Sequence, residues 1–263
     1  MNTLLKVAFQ QRSLRPSVLI SNIKAYRLFL ADLKALEAQQ GPAPEFPITK
    51  YYPQLHDRGE TSGTMSGHYF HMDLLVAQRI FQNAPMRHVD VGSRTDGFVA
   101  HVAAFRPIEV FDIRPLHTTV ENISFVQADM MQLPDALIAC TDSLSCLHTI
   151  EHFGLGRYGD PIRVNGHLEG LDSLYRMLKP GGKFYFATPI GPQRIEFNAH
   201  RVFDVSYLLR QFQDRYQVNH FSYVDDAGDL HKHVPLAPQD VARNFGCQYG
   251  CGIFEMTKLG LDV

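Results

Sequence analysis

The chain has 263 residues, 45% of them hydrophobic, which is enough for one sizeable core with an N-terminal extension. Twenty-five basic and 27 acidic side chains leave a formal net charge of −2, without the positive excess that neutralises many phosphates, which argues against nucleic acid as a partner. Cys140, Cys146, Cys247 and Cys251 have neither Cys-x-x-Cys spacing nor the density of a disulfide scaffold, and no apolar run approaches the roughly 20 residues that span a bilayer. The N-terminus, with Lys6, Arg12 and Arg15, lacks a continuous signal-peptide core, so a soluble cytoplasmic protein with reduced thiols is expected.

Residues Ser17–Gln39 place Leu19, Ile20, Ile23, Tyr26, Leu30, Leu33 and Leu36 mainly three and four apart, predicting an amphipathic helix that Gly41-Pro42 stops. Its apolar face suits packing on the main domain or on a second copy, making a homo-oligomer through this helix an expectation. Residues 41–67, rich in Pro, Gly, Ser and Thr, read as a linker or lid, so residues 1–67 form the extension and 68–263 the main domain. A second helix should run from His68 to before Pro85.

Short apolar runs then recur at Arg87–Val91, Ile108–Ile113, Ile123–Gln127, Ser143–Leu147 and Lys183–Thr188, separated by helical or loop segments. The clearest intervening helix is Gly166–Leu178, ended by Lys179-Pro-Gly-Gly182. With a helix at Val205–Phe212 and further strands at Gln217–Val224 and Gly252–Lys258, the expected fold is a Rossmann-like, doubly wound α/β domain. Its mostly parallel sheet should have seven strands and close in an antiparallel hairpin.

Open α/β sheets bind ligands at the carboxyl ends of their strands, and the chemistry-bearing residues fall there. Gly92, with Ser93 beside it, follows the strand that carries Asp90, and a glycine there lets backbone approach a ligand closely. Asp112, 20 residues on, ends the second strand and can accept from both ribose hydroxyls; Asp129 follows the third and can accept from an adenine amine. Ile113, Met130 and Leu147 are apolar neighbours able to line such a site. A strand-end Asp is often only a turn former; three strand ends in the right order are a stronger signal. A dinucleotide enzyme shares the sheet, but Gly92-Ser-Arg-Thr-Asp-Gly97 lacks the middle glycine of Gly-x-Gly-x-x-Gly.

From about residue 68 to the C-terminus the chain resembles the class I methyltransferases, with Leu178-Lys-Pro-Gly-Gly-Lys-Phe184 similar to that family's segment before its fifth strand. More narrowly, Tyr69-Phe-His-Met-Asp-Leu74, Asp90-Val-Gly-Ser-Arg-Thr-Asp-Gly-Phe98, Ile150-Glu-His-Phe-Gly-Leu-Gly-Arg-Tyr-Gly-Asp160 and Asn198-Ala-His-Arg201 resemble a bacterial methyltransferase-like family of undefined function associated with surface-polysaccharide genes. The resemblance implies S-adenosylmethionine as methyl donor, S-adenosylhomocysteine as product, and a small acceptor such as a sugar, nucleotide sugar or glycan. The family turn runs Asp-x-Gly-x-Gly-x-Gly, whereas Arg94 and Asp96 here replace two glycines and Gly97 comes one place later. A planar guanidinium suits a carboxylate, so Arg94 is a candidate for the methionine carboxylate; the alternative is an outward Arg94 with Asp96 capping the next helix.

Methyl transfer from a sulfonium needs in-line positioning, plus a base when the acceptor is a hydroxyl. After the fourth strand come His148, Glu151 and His152, with both histidines spaced to share a helical face; His148 is the expected base or cofactor-proximal residue, and Glu151 and His152 orient it or line the acceptor pocket. The string also matches the inverted zinc-peptidase motif His-x-x-Glu-His, but Gly154 and Gly156 would end any helix at once. Tyr69, Arg157, Tyr158, Asp160, His200 and Arg201 are candidate acceptor contacts, against the plainer reading of a surface loop and a packing segment. A divalent metal on Asp160, Glu151 or the histidines is conceivable, although no spacing requires one. N-methylation of an amino sugar or small amine, and a non-catalytic cofactor-binding module, stand as alternatives to O-methylation.

Overall fold

A computed structural model describes residues 16–260, which fall into two compact units divided between Thr64 and Met65. The N-terminal stretch bearing Lys6, Arg12 and Arg15 lies outside the described residues. In the first unit α1 spans Pro16–Gln39, one residue longer at its start than the apolar spacing predicts, since proline is tolerated in a first helical turn. From Gln40 to Thr64 there is one 3₁₀ turn, Asp57–Gly59, and Arg58 Nη2 meets Asp32 Oδ2 at 2.5 Å. With both side chains more than half exposed, that pair adds little.

The second unit is a three-layer α/β domain with a Rossmann-like, mostly parallel central sheet. Its strands are β1 (His88–Val91), β2 (Ile108–Asp112), β3 (Ile123–Gln127), β4 (Thr141–Leu147), β5 (Leu178–Ile190), β6 (Arg194–Glu196), β7 (His200–Val202), β8 (Tyr216–Val224), β9 (Leu230–His231) and β10 (Gly250–Lys258). Its helices are α2 (His68–Asn83), the short α3 (Ala100–Ala103), α4 (Gly166–Met177), α5 (Val205–Phe212) and the short α6 (Pro238–Val241). The main sheet runs β3-β2-β1-β4-β5-β10-β8-β9, parallel from β3 to β5 and antiparallel from β5 onward.

Eight strands replace the expected seven. The addition is β9, two residues paired with Tyr223 and Val224 across a turn in which Asp225 Oδ1 accepts from the backbone of Ala227 and Asp229. So short a strand has no periodicity to read. Likewise Asn198-Ala-His-Arg201 is the turn and return strand of a small β6–β7 hairpin. Lys179-Pro-Gly-Gly182 ends α4 as expected but continues directly into β5, where the pairing jumps from Leu178↔Thr141 to Lys183↔Ser143, so the segment forms a bulge at the start of this interior strand.

Side-chain alternation in β5 divides the core. Phe184 and Phe186 face one side with Leu174, Leu208, Phe212 and Phe254, while Tyr185 and Ala187 face the other with Met72, Val76, Ile80, Phe98 and Ile253. Both layers are almost fully buried, so a Leu174→Ala cavity falls in the class that costs about 2–5 kcal/mol. Among the described residues no helix is long and apolar enough to cross a membrane.

Candidate functional site

The site grows from the carboxyl ends of β1, β2, β3 and β4. After β1, Gly92 has φ +72°, and a Cβ there would meet Thr149 Cγ2 at 2.3 Å; the backbone N–H of Gly92 donates to Phe111 O at 2.8 Å. Conformation and space both require glycine. Asp90 is fully buried beneath this turn and accepts from Ser93 N (3.0 Å), Ser93 Oγ (2.7 Å) and Ser145 Oγ (2.5 Å). Burial outweighs these bonds and pushes its carboxyl up to about 6. The Ser145 hydroxyl also contacts His88, which burial holds down at about 3 and so neutral. Asp90 and Ser93 therefore brace the turn from below and do not line the cavity above it.

Arg94 lines that cavity, yet its guanidinium pairs with Asp96 at 3.1 and 3.0 Å and lies 5.1 Å from the Tyr69 ring centre. Asp96 caps no helix. Gly97 faces α2, where a Cβ would come within 2.6 Å of Asp73 Oδ2. Asp73, buried against the turn, is pushed up to about 6 by desolvation.

One cavity of about 280 Å³ occupies the cleft over these strand ends. Its walls include Gly92, Arg94, Asp112, Ile113, Asp129, Met130, Leu147, His148 and His152. Asp112, at the end of β2, is held by Arg114, whose backbone N–H and Nε reach Oδ1 at 2.8 and 3.0 Å and whose Nη2 reaches Oδ2 at 2.6 Å. Arg114 also stacks on Tyr158, 4.3 Å from the ring centre, which ties the second strand end to the loop after β4. Asp129 uses Oδ1 to accept from Met131 N at 2.9 Å, and this fixes the loop that brings Met130 and Met131 into the wall.

The end of β4 is shaped by His148, whose φ of +50° is uncommon for a residue with a Cβ. Its backbone N–H donates to Ala187 O at 2.9 Å. Held in this conformation, the ring donates from Nδ1 to Glu151 Oε1 at 2.8 Å, and Glu151 Oε2 accepts from Thr188 Oγ1 at 3.3 Å. Nε2 is buried and has no hydrogen-bond partner among the described residues. Burial opposes charge on His148, but Cys251 and the Glu151 carboxylate outweigh it and raise its pKa well above the ordinary imidazole value. Glu151, though desolvated, is pulled below the usual carboxylate range by His148.

The expected shared helical face of His148 and His152 does not form. Only Ile150–His152 make a 3₁₀ turn, and the left-handed His148 precedes it. His152 instead donates from Nδ1 to Ala199 O at 2.7 Å, and burial lowers its pKa. With no sustained helix, the peptidase geometry is ruled out for this string.

Of the expected acceptor contacts, Tyr69, Arg157, Tyr158 and Asp160 line the cavity. Asp160 is also a loop staple, accepting from Gly156 N and Tyr158 N at 3.1 and 3.2 Å, and Arg157 donates to Ala199 O at 2.9 Å. His200 and Arg201 lie elsewhere. Arg201 is buried and donates to Phe153 O at 2.6 Å and Val164 O at 3.3 Å, clasping the loop from behind, and His200 packs on Tyr249. Sequence reading missed Arg114, Thr149, Phe153 and Met131 in the wall and Asp73 beneath it; only Arg114, two residues after a strand-end acid, carried a local signal.

Residues 117–230 match the family model described as "Caenorhabditis protein of unknown function, DUF268". A comparison with curated proteins gives no match. Among solved structures, the complex between the Haloferax volcanii Trm112 methyltransferase activator and a candidate methyltransferase aligns with a TM-score of 0.50 at 16% identity, over 74% of this chain and 92% of that one. The Bradyrhizobium japonicum N-methyltransferase NodS with S-adenosylhomocysteine aligns at TM-score 0.48 and 11% identity, over 80% and 93%. A Burkholderia thailandensis N1-methyltransferase of 1,6-didemethyltoxoflavin, also with S-adenosylhomocysteine, aligns at 0.49 and 15%, over 72% and 79%. The second unit thus shares the Rossmann-like fold of the Haloferax volcanii structure.

Proposed function

We propose that the chain is an S-adenosylmethionine-dependent methyltransferase. The observation that carries this reading is the single cavity that gathers Gly92, Asp112 and Asp129 from three consecutive strand ends and sets His148 on the fourth. In it Asp112 accepts from the ribose hydroxyls alongside Arg114, the free oxygen of Asp129 takes the adenine amine, and Ile113, Met130 and Leu147 flank the base. Backbone at Gly92 borders the methionine moiety. The sulfonium carbon–sulfur bond breaks as the acceptor oxygen takes the methyl group, and the acceptor proton passes to Nε2 of the neutral form of His148, oriented through Nδ1 by Glu151, a form that the raised pKa reserves for higher pH.

Acceptance by an oxygen of a sugar or sugar-derived group, in surface-polysaccharide synthesis, is supported by the sequence resemblance and by the donors and acceptors of Arg157, Tyr158 and Asp160 on the open side. Calorimetry tests the donor assignment. Wild-type protein should bind S-adenosylhomocysteine, and Asp112→Ala should weaken it by about 10–100-fold, the equivalent of one or two charge-assisted hydrogen bonds. Failure of the wild type to bind either form of the cofactor overturns the proposal.

A further inference from the structure

Behind the cavity wall, three ligating side chains from distant parts of the chain converge. His68 opens α2, His148 ends β4, and Cys251 lies near the start of β10, where it pairs with Pro189 of β5 and Val224 of β8. One ligand atom from each lies within 4.8 Å of the other two. The His68 and His148 rings are 5.3 Å apart and nearly parallel, at 6°. Most telling is His148 Nε2, a buried nitrogen with no hydrogen-bond partner among the described residues, on a ring whose Nδ1 is held by Glu151. A carboxylate on the far nitrogen of a histidine is the arrangement that orients metal-bound imidazoles.

We propose that His68, His148 and Cys251 form a binding site for a zinc-like transition-metal ion, with Glu151 orienting His148. Two imidazoles and a thiolate select a borderline-soft ion over magnesium or calcium, which take oxygen ligands. Binding releases the Cys251 thiol proton and the His148 Nε2 proton to solvent and forms one metal–sulfur and two metal–nitrogen bonds. Zinc–nitrogen bonds of about 2.0–2.1 Å and zinc–sulfur bonds of about 2.3 Å set tetrahedral ligand atoms about 3.3–3.6 Å apart, so the three atoms, all within 4.8 Å of one another, close by at most about 1.5 Å. Three protein ligands leave a fourth position open, and because His148 also lines the cavity, the ion stands at the cavity wall. The ion and an acceptor proton compete for the same Nε2 lone pair. Any part the ion plays in activating an acceptor rests on the methyl-transfer reading; the site itself does not.

The full-length protein, stripped with a chelator, is titrated with zinc against a chromophoric competitor and with cobalt(II) by absorption spectroscopy. The expected result is one equivalent of zinc and a tetrahedral cobalt spectrum with a thiolate charge-transfer band. Cys251→Ser should abolish that band, His68→Ala should weaken zinc binding at least about 10-fold, and Glu151→Gln should weaken it by about 10–100-fold. Cys140→Ser should change nothing. Circular dichroism checks that each variant folds. No zinc uptake, an octahedral cobalt spectrum, or an unchanged band in Cys251→Ser overturns the site. S-adenosylhomocysteine binding, measured on the same Cys251→Ser protein, separates failure here from failure of the donor assignment.

Discussion

Asp90 and Glu151 are both fully buried carboxylates, one within β1 and one just beyond its neighbour β4, yet their surroundings drive them in opposite directions. Asp90 is bonded by hydroxyls and an amide, neutral groups that do not offset its desolvation, and it rises to about 6. Glu151 faces the His148 ring and is drawn below its ordinary value. Equal burial therefore produces a brace that tolerates neutrality and a charged partner that depends on its counter-ion. The first holds the Gly92 turn in shape, and the second fixes the orientation of the ring in the cavity wall.

The contrast is broken most severely by Glu151→Ala, which strands a buried imidazolium. A loss of about 3–5 kcal/mol in urea-unfolding free energy at neutral pH is expected, and an unchanged midpoint would show that the pair is not ionised. Asp90 should behave oppositely. Its folded pKa is raised, so its contribution is fully present below about 4 and is lost as pH rises through about 6, a difference of about 3 kcal/mol. Asp90→Asn should remove that slope from the pH–stability profile; a slope identical to wild type would refute the assignment. The smallest effect belongs to Glu255, which pairs with Arg79 Nε at 2.6 Å, accepts from Asn83, and lies near Tyr185 and His220. Its pKa is lowered, so its contribution holds above the ordinary carboxylate value and disappears as pH falls through the depressed one. With Arg79 partly solvent-screened, Glu255→Gln should cost about 1 kcal/mol at neutral pH and nothing at strongly acidic pH, read from the same unfolding curves.

The sheet was legible because its signals are local. Val89, Val110 and Phe186 sit in apolar runs whose length and turn residues identify strands, and Gly92, Asp112 and Asp129 follow those runs at once. Signals failed where geometry is tertiary. Nothing near residue 94 tells that its guanidinium turns to Asp96, and His200 and Arg201 read as acceptor contacts because a hairpin turn there could not be distinguished from a helix start. His148 and His152 have helical spacing, but a left-handed backbone at the first histidine sends the rings to different partners. His68, His148 and Cys251 are separated by 80 and 103 positions, so only the fold unites them.

The missing side chain at Gly92 has a mechanical consequence. Thr149 fills the space that a Cβ would need, so the turn after β1 and the turn after β4 interlock like adjacent teeth. Thr149 directly follows His148, and displacing either turn must move the other. Two binding events on opposite sides of this contact would accordingly share one thermodynamic linkage, each altering the other's affinity by the same factor.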